Sequence, residues 1–193
     1  MNIQEPQDGT SWRDRLRSIP AFPDEMPDFE VADAPDDPLP LFEAWLTEAM
    51  ATQVRQANMM TLSTIDGDHP AARTLILKDF GPSGFDFATA RTTAKARQLA
   101  ERPVASMLFY WTETGRQVEV RGPVVEAPEE EIQADWLQRP SSDGQPNPNW
   151  VVYRIEPEVI EFLQSKHSRR HTRIRYAREG DAWRLENLTA PEK

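Results

Sequence analysis

The chain has 193 residues, a formal net charge of -10 and no cysteine. This length suits one domain with a sizeable core. The absence of cysteine excludes disulfide frameworks, thiolate metal sites and cysteine nucleophiles, and the acidic balance argues against non-specific nucleic-acid binding. No apolar run is long enough to span a membrane and no signal peptide is visible, so we expect a cytoplasmic protein without a membrane partner.

The first part of the chain is rich in proline and acidic residues, with only a short helical pattern around residues 12–19. We therefore expect an extended N-terminal arm over residues 1–35 and one domain over residues 36–193. Asp36-Asp37-Pro38 is typical of a helix start, with an acidic cap and a proline in the first turn. Apolar residues then recur at helical spacing from Leu41 to Met50, which predicts a helix packed on the core.

The segment Asn58–Lys78 predicts a β-hairpin. Two β-branched and apolar runs are joined by Asp66-Gly67-Asp68, in which glycine supplies the positive φ that the turn needs. Because side chains alternate along a strand, Arg73 and Lys78 should face opposite ways and meet different anions. The simpler interpretation is that both charges reach solvent.

Residues 91–100 predict a helix after a short strand at residues 85–89. Its start lies beside Thr93 and Lys95, where free N–H groups and the helix dipole favour an anion such as phosphate. An ordinary capped helix explains the same residues equally well. Pro103 ends the pattern.

Antiparallel strands joined by short turns dominate the remainder of the chain. Predicted strands cover residues 104–111, 117–125, 150–155, 159–163, 172–176 and 183–185, with an acidic helix at residues 128–137. The expected class is α+β, or a barrel with helices on its outside. Gln117, at the start of a strand, could hydrogen-bond a planar heterocycle, although such a glutamine is more often simply exposed.

A basic tract covers residues 166–178 of this acidic chain. It indicates either a local anionic ligand or a charged strand edge that discourages aggregation. His167 and His171 would make a poor metal site because no acid or thiolate stands near them, so no metal is expected. On its own pattern, His171 is a strand histidine without a catalytic task.

Six short motifs, taken together and in order, resemble the pyridoxamine 5'-phosphate oxidase family. They are Asp37-Pro38-Leu39, Met60–Thr64, Arg73–Lys78, Arg116-Gln117-Val118, Ile160-Glu161-Phe162 and Arg169–Arg173. The resemblance implies an antiparallel FMN-binding split β-barrel with peripheral helices and an FMN cofactor at a homodimer interface. It also implies oxidation of a phosphorylated small molecule, pyridoxamine or pyridoxine 5'-phosphate, to pyridoxal 5'-phosphate with oxygen as acceptor.

The resemblance implies a role for each matched residue. The cofactor-binding residues would be Arg73, Thr74, Leu75, Ile76, Leu77, Lys78, Thr89, Thr93, Lys95, Gln117 and Arg173. The substrate-binding residues would be Lys78, Arg139, Arg169 and His171. Of these, Arg169 and His171 would also be the catalytic pair, because they would hold the substrate over the flavin ring.

The sequence departs from the family pattern in four places. Ala94 replaces an arginine for the FMN phosphate, Leu163 replaces a tryptophan, and a segment after Arg139 that contacts FMN is almost absent. Asp135 replaces a tyrosine that helps to bind the substrate phosphate, and an acid there is unfavourable unless it points away. Two other functions therefore stay open: a related flavin oxidase on another substrate, as in phenazine biosynthesis, and a flavin-binding protein with little catalysis.

Overall fold

A computed structural model describes residues 10–52 and 54–191. Within them lie four α-helices and a 3-10 helix: α1 (Trp12–Arg17), the 3-10 helix (Val31–Asp33), α2 (Pro38–Ala51), α3 (Ala94–Glu101) and α4 (Glu129–Leu137). The ten strands are β1 (Met59–Asp66), β2 (His69–Ile76), β3 (Asp79–Gly81), β4 (Gly84–Ala90), β5 (Val104–Trp111), β6 (Arg116–Glu126), β7 (Trp150–Ile155), β8 (Val159–Gln164), β9 (Thr172–Glu179) and β10 (Ala182–Asn187). None of these helices is long and apolar enough to cross a membrane.

The strands form one connected antiparallel sheet. Its main path runs β10-β9-β8-β6-β5-β1-β2, while β3, β4 and β7 join it through β6. Strand β6 serves both parts because residues 116–121 pair with β8 and residues 124–126 pair with β7. Between them, a Cβ at Gly122 would lie 1.9 Å from the carbonyl oxygen of Glu156, so only glycine permits this close approach. The predicted α+β class, an antiparallel barrel with peripheral helices, is confirmed.

The core lies between α2 and the inner face of the sheet. Asp37 caps α2 by accepting a hydrogen bond from the Leu39 N–H at 2.9 Å, as the sequence predicts. Phe42 is fully buried. Its ring packs edge-on against those of Phe80, Phe85 and Phe109 at centroid separations of 4.8, 5.0 and 5.2 Å.

Phe42→Ala is expected to lower the free energy of unfolding by about 3–5 kcal/mol, because it leaves a cavity among these rings. Met50→Ala is the matched control. Met50 ends the same predicted apolar stripe but is 66% exposed, so its truncation should change stability by about 0.5 kcal/mol or less. Denaturant unfolding measures both, and equal losses would contradict this placement of the core.

The described part of the N-terminal segment packs on the barrel. Phe29 is buried, with its ring edge-on to Trp45 at 5.3 Å. Farther along, the hydroxyl of Tyr176 donates to the carbonyl oxygen of Pro35 at 2.7 Å. The division into an arm over residues 1–35 and a domain over residues 36–193 stays a prediction.

Strands β1 and β2 form the expected hairpin, with Gly67 at φ +59° in its turn. Arg73 lies opposite Leu62 on the inner face, whereas Ile76 is exposed on the outer face. The predicted alternation therefore holds. Because β2 has β1 as its only strand neighbour among the described residues, its other edge offers unpaired backbone N–H and C=O groups.

The outer face of the sheet carries opposed residues on neighbouring strands. Ile76 on β2 lies opposite Met59 on β1, and successive opposed positions from β5 to β9 are Tyr110, Gln117, Leu163 and Arg173. Large apolar side chains on this face are between 36% and 49% exposed, namely Met59, Ile76, Val104, Leu108 and Tyr110. A contiguous exposed apolar surface of this kind marks an interaction site.

Candidate functional site

Three of the predicted cofactor residues meet where β4 leads into α3. The ammonium group of Lys95 donates to the hydroxyl of Thr89 at 3.0 Å, and the hydroxyls of Thr89 and Thr93 lie 3.2 Å apart. Thr93 occupies the N-cap position of α3, so the free N–H groups of the first helical turn follow it directly. Hydroxyls, an ammonium group and backbone donors thus share one location.

Arg73 reaches the same location from β2. Its guanidinium donates to the Thr64 hydroxyl at 2.6 Å and to Gln98 Oε1 at 2.9 Å, and Gln98 also accepts from Thr64 at 2.7 Å. Gln98 lies on α3, one turn beyond Lys95. Two side chains from different elements therefore fix the direction in which Arg73 points.

The charges of Arg73 and Lys95 are only partly balanced by the protein, since the carboxylate of Asp66 favours the charge of Arg73. Burial lowers the pKa of Arg73, and burial together with the charge of Arg73 lowers the pKa of Lys95. Among the described residues, neither side chain forms an ion pair with a carboxylate. Two adjacent, partly buried cations that form no ion pair suit an anion, which would relieve their repulsion.

A cavity of about 380 Å³ opens along the free edge of β2. Six of the predicted site residues line it: Thr74, Leu75, Ile76, Lys78, Thr89 and Arg139. Trp150 also lines it. Leu77 does not line the cavity, because β2 ends at Ile76 and the Leu77 side chain is buried in the core.

Lys78 is paired with an acid at this cavity. Its Nζ lies 2.7 Å from Asp135 Oδ1, and the other carboxylate oxygen of Asp135 accepts from Trp150 Nε1 at 2.8 Å. The guanidinium of Arg139 lies over the Trp150 ring, 4.2 Å from its centroid. Its Nε is buried and has no hydrogen-bond partner among the described residues. Asp135 therefore points towards Lys78 rather than away from it.

The remaining predicted residues, Gln117, Arg169, His171 and Arg173, lie elsewhere in the chain. Arg173 is five strands from β2 along the sheet, which corresponds to about 24 Å at about 4.8 Å per strand. Within one copy of the chain, Arg173 and the residues of β2 therefore lie on widely separated strands of the sheet.

Arg173 is held by a buried acid on the neighbouring strand. It donates from Nε and Nη2 to Glu161 Oε2 at 3.1 and 2.6 Å, and Arg175 donates to Oε1 at 2.8 Å. Burial raises the pKa of Glu161, but the hydrogen bonds and charges of Arg173 and Arg175 outweigh it, so the pKa is lowered overall. Glu161 is therefore an ionised anchor that orients both arginines.

The turn between β8 and β9 carries Arg169 and His171. The backbone N–H of Lys166 donates to His171 Nδ1 at 3.0 Å, so a neutral ring holds its proton on Nε2. Arg169 has φ +64°, a left-handed conformation that is costly for a side chain larger than glycine and is common at functional turns.

Phe22 of the N-terminal segment covers this turn. Its ring packs edge-on against His171 at 5.8 Å, and the guanidinium of Arg169 lies 5.4 Å from its centroid. Nothing in the sequence pattern indicates this contact, and the same is true of the support that Thr64 gives to Arg73. Gln98, which is buried on α3 beside Leu99, carries no signal of its own in the sequence either.

Two family models match the chain. Residues 46–164 match the model described as pyridoxamine 5'-phosphate oxidase, and residues 150–190 match the pyridoxine 5'-phosphate oxidase C-terminal dimerisation region. The pyridoxine/pyridoxamine 5'-phosphate oxidase of Pseudomonas fluorescens (strain SBW25) is 36% identical over 194 residues, covering 81% of this chain and 90% of the relative. The enzyme of the same name from Thermosynechococcus vestitus is 33% identical over 191 residues, with coverage of 81% and 90%.

Solved structures show the same architecture. The crystal structure of PhzG from Burkholderia lata 383 in complex with tetrahydrophenazine-1-carboxylic acid has a TM-score of 0.78 at 28% identity, covering 86% of this chain and 99% of that one. A pyridoxamine 5'-phosphate oxidase-related, FMN binding protein from Nostoc punctiforme has a TM-score of 0.71 at 19% identity, with coverage of 81% and 99%. The second likeness supports the fold alone.

Proposed function

Because the chain belongs to the pyridoxamine 5'-phosphate oxidase family of flavin-dependent oxidoreductases, we propose that it is an FMN-dependent oxidase of a small ring compound that carries an anionic group. The first candidate substrates are pyridoxamine and pyridoxine 5'-phosphate, which would yield pyridoxal 5'-phosphate with oxygen as acceptor. One observation carries the proposal: the cavity along β2 is lined by Lys78, Arg139 and Thr89, and the Thr89 hydroxyl accepts from Lys95, which lies beside Arg73.

The residues where β4 leads into α3 fit the phosphate of FMN. Arg73 and Lys95 would supply positive charge, while Thr89, Thr93 and the first turn of α3 would supply hydrogen-bond donors. Ala94 contributes no side-chain donor, so the charge falls to the two cations alone. The free backbone edge of β2 fits the polar edge of the flavin ring.

FMN, when bound, supplies the redox chemistry by taking a hydride from the substrate and passing electrons to oxygen. The residues of the chain bind and orient the reactants, and alignment is their main contribution to the rate. Lys78 and Arg139 would bind the anionic group of the substrate. His171 would donate a hydrogen bond from Nε2, and Arg169 would hold the substrate ring beside it.

A homodimer would bring the two groups of residues together. In it, the cavity of one copy would receive Gln117, Arg169, His171 and Arg173 from the other. The exposed apolar side chains on the outer face of the sheet support this arrangement, since they provide a surface for a second copy. The match of residues 150–190 to a dimerisation region also supports it, because that region contains Arg169, His171 and Arg173.

An oxidase acting on a ring carboxylate is the second candidate function. The pairing of Lys78 with Asp135 favours it, because this pair reduces the positive charge available to a phosphate. The likeness to PhzG, whose crystal structure holds a ring carboxylic acid, supports the same candidate.

The test is an absorption spectrum followed by an oxidase assay. The purified protein is expected to be yellow, with a flavin band, and to produce peroxide only when substrate is added. A protein that stays colourless with excess FMN would refute the flavin. A yellow protein inactive on both B6 phosphates but active on a ring carboxylate would select the second candidate, and inactivity on all of them would favour a non-catalytic flavin-binding protein.

A further inference from the structure

We propose that Asp135 sets the charge of the group that the cavity accepts, so that a ring substrate with one carboxylate is favoured over one with a dianionic phosphate. The inference rests on the proposed function, since it concerns the substrate of the same site. It assigns a specificity-determining role to a residue of α4 that contacts both Lys78 and Trp150.

The position of the Asp135 carboxylate is fixed from two sides. One oxygen lies 2.7 Å from Lys78 Nζ and the other accepts from Trp150 Nε1 at 2.8 Å. Trp150 is itself 9% exposed and starts β7. A carboxylate held in this way does not swing out of the site when a ligand enters.

The charge balance around Asp135 then favours a monoanion. Lys78 and Arg139 supply two positive charges and Asp135 supplies one negative charge. The side chains of Lys78 and Asp135 are 24% and 18% exposed, so water screens the ion pair only in part. The net charge of +1 matches the single negative charge of a carboxylate. The second negative charge of a phosphate dianion would be repelled by Asp135 without a cation to compensate for it.

Arg154 does not change this charge balance. Arg154 lines a second pocket together with Lys78 and Asp135, but it is 2.7 Å from Asp86 and 2.7 Å from Glu131. Two acids therefore already neutralise it. Arg139, in contrast, retains a buried Nε without an acceptor among the described residues, and an oxyanion is the partner that suits a guanidinium edge.

The test compares two ring-matched probes, benzoate and phenyl phosphate, on the FMN-loaded protein at pH 8, where the phosphate is a dianion. Titration calorimetry gives both dissociation constants without relying on turnover. Wild-type protein is expected to bind benzoate more tightly. In Asp135→Asn the bond to Trp150 can persist while the charge is lost, so the preference should shift towards phenyl phosphate by about tenfold, or about 1.4 kcal/mol.

Glu130→Gln is the matched control, because Glu130 is an exposed acid on the same helix, and its loss should leave the preference unchanged. Asp135→Ser makes the same charge change should the asparagine variant not fold. An unchanged preference without Asp135, an equal shift in the control, or no binding of either probe would overturn the proposal. The flavin band of the same samples reports separately on the proposed cofactor.

Discussion

Replacing Arg73 with alanine is expected to weaken FMN binding by about a hundredfold. Thr64 and Gln98 hold the guanidinium in place beside Lys95, so it would meet a phosphate without reorganising. Two charge-assisted hydrogen bonds at about 1.5 kcal/mol each give about 3 kcal/mol, which corresponds to about a hundredfold in affinity. Titration of the apoprotein with FMN, followed by quenching of the flavin fluorescence, measures the effect.

Arg102→Ala is the control for this experiment. Arg102 is an exposed arginine at the C-terminal end of α3, and its removal should leave FMN affinity unchanged. The thermal stability of the apoprotein provides a second check. Burial lowers the pKa of Arg73, so its charge is less favourable in the folded than in the unfolded chain, and Arg73→Ala should not lower the apoprotein Tm. A lower apoprotein Tm with unchanged FMN affinity would indicate a structural role instead.

The sequence predicts this fold well wherever side chains alternate strictly. Strand β5 has the predicted bounds, Val104–Trp111, and the first hairpin turns at Gly67 as expected. Strand β3, Asp79–Gly81, has no sequence signal because three residues are too few to show a period of two. In the N-terminal segment, the contact of Phe22 with His171 has no sequence signal for a different reason. It depends on where a proline-rich chain returns to the barrel.

The candidate site is predictable as a set of residues, but its internal contacts are not. The order of the motifs carries the family resemblance, and therefore points to Arg73 and His171 together. The pairing of Lys78 with Asp135 depends on how α4 packs against β7, which no local pattern encodes. The same holds for Gln98, whose contact with Thr64 exists only because α3 packs on β1.

Restoration of activity in mixed dimers is the second large effect expected. Lys95→Ala alone should lose FMN affinity more than turnover, and His171→Ala alone should lose turnover more than FMN affinity. If each site takes Lys95 from one copy and His171 from the other, a mixed dimer contains one intact site and one doubly altered site. Random pairing makes half of the dimers mixed, so an equal mixture should regain about a quarter of wild-type activity when the FMN concentration fills the intact site but not the Lys95→Ala or Arg73→Ala site.

A mixture of Lys95→Ala with Arg73→Ala is the matched control, because both residues belong to the same half of the site and no pairing restores it. In each mixture, the two variants are unfolded and refolded together. Mass spectrometry of the intact dimers verifies that mixed species form. Activity of about a quarter in the first mixture, with none regained in the control, is the expected result for a flavin site shared between two copies. Mixed dimers no more active than the single variants would contradict it.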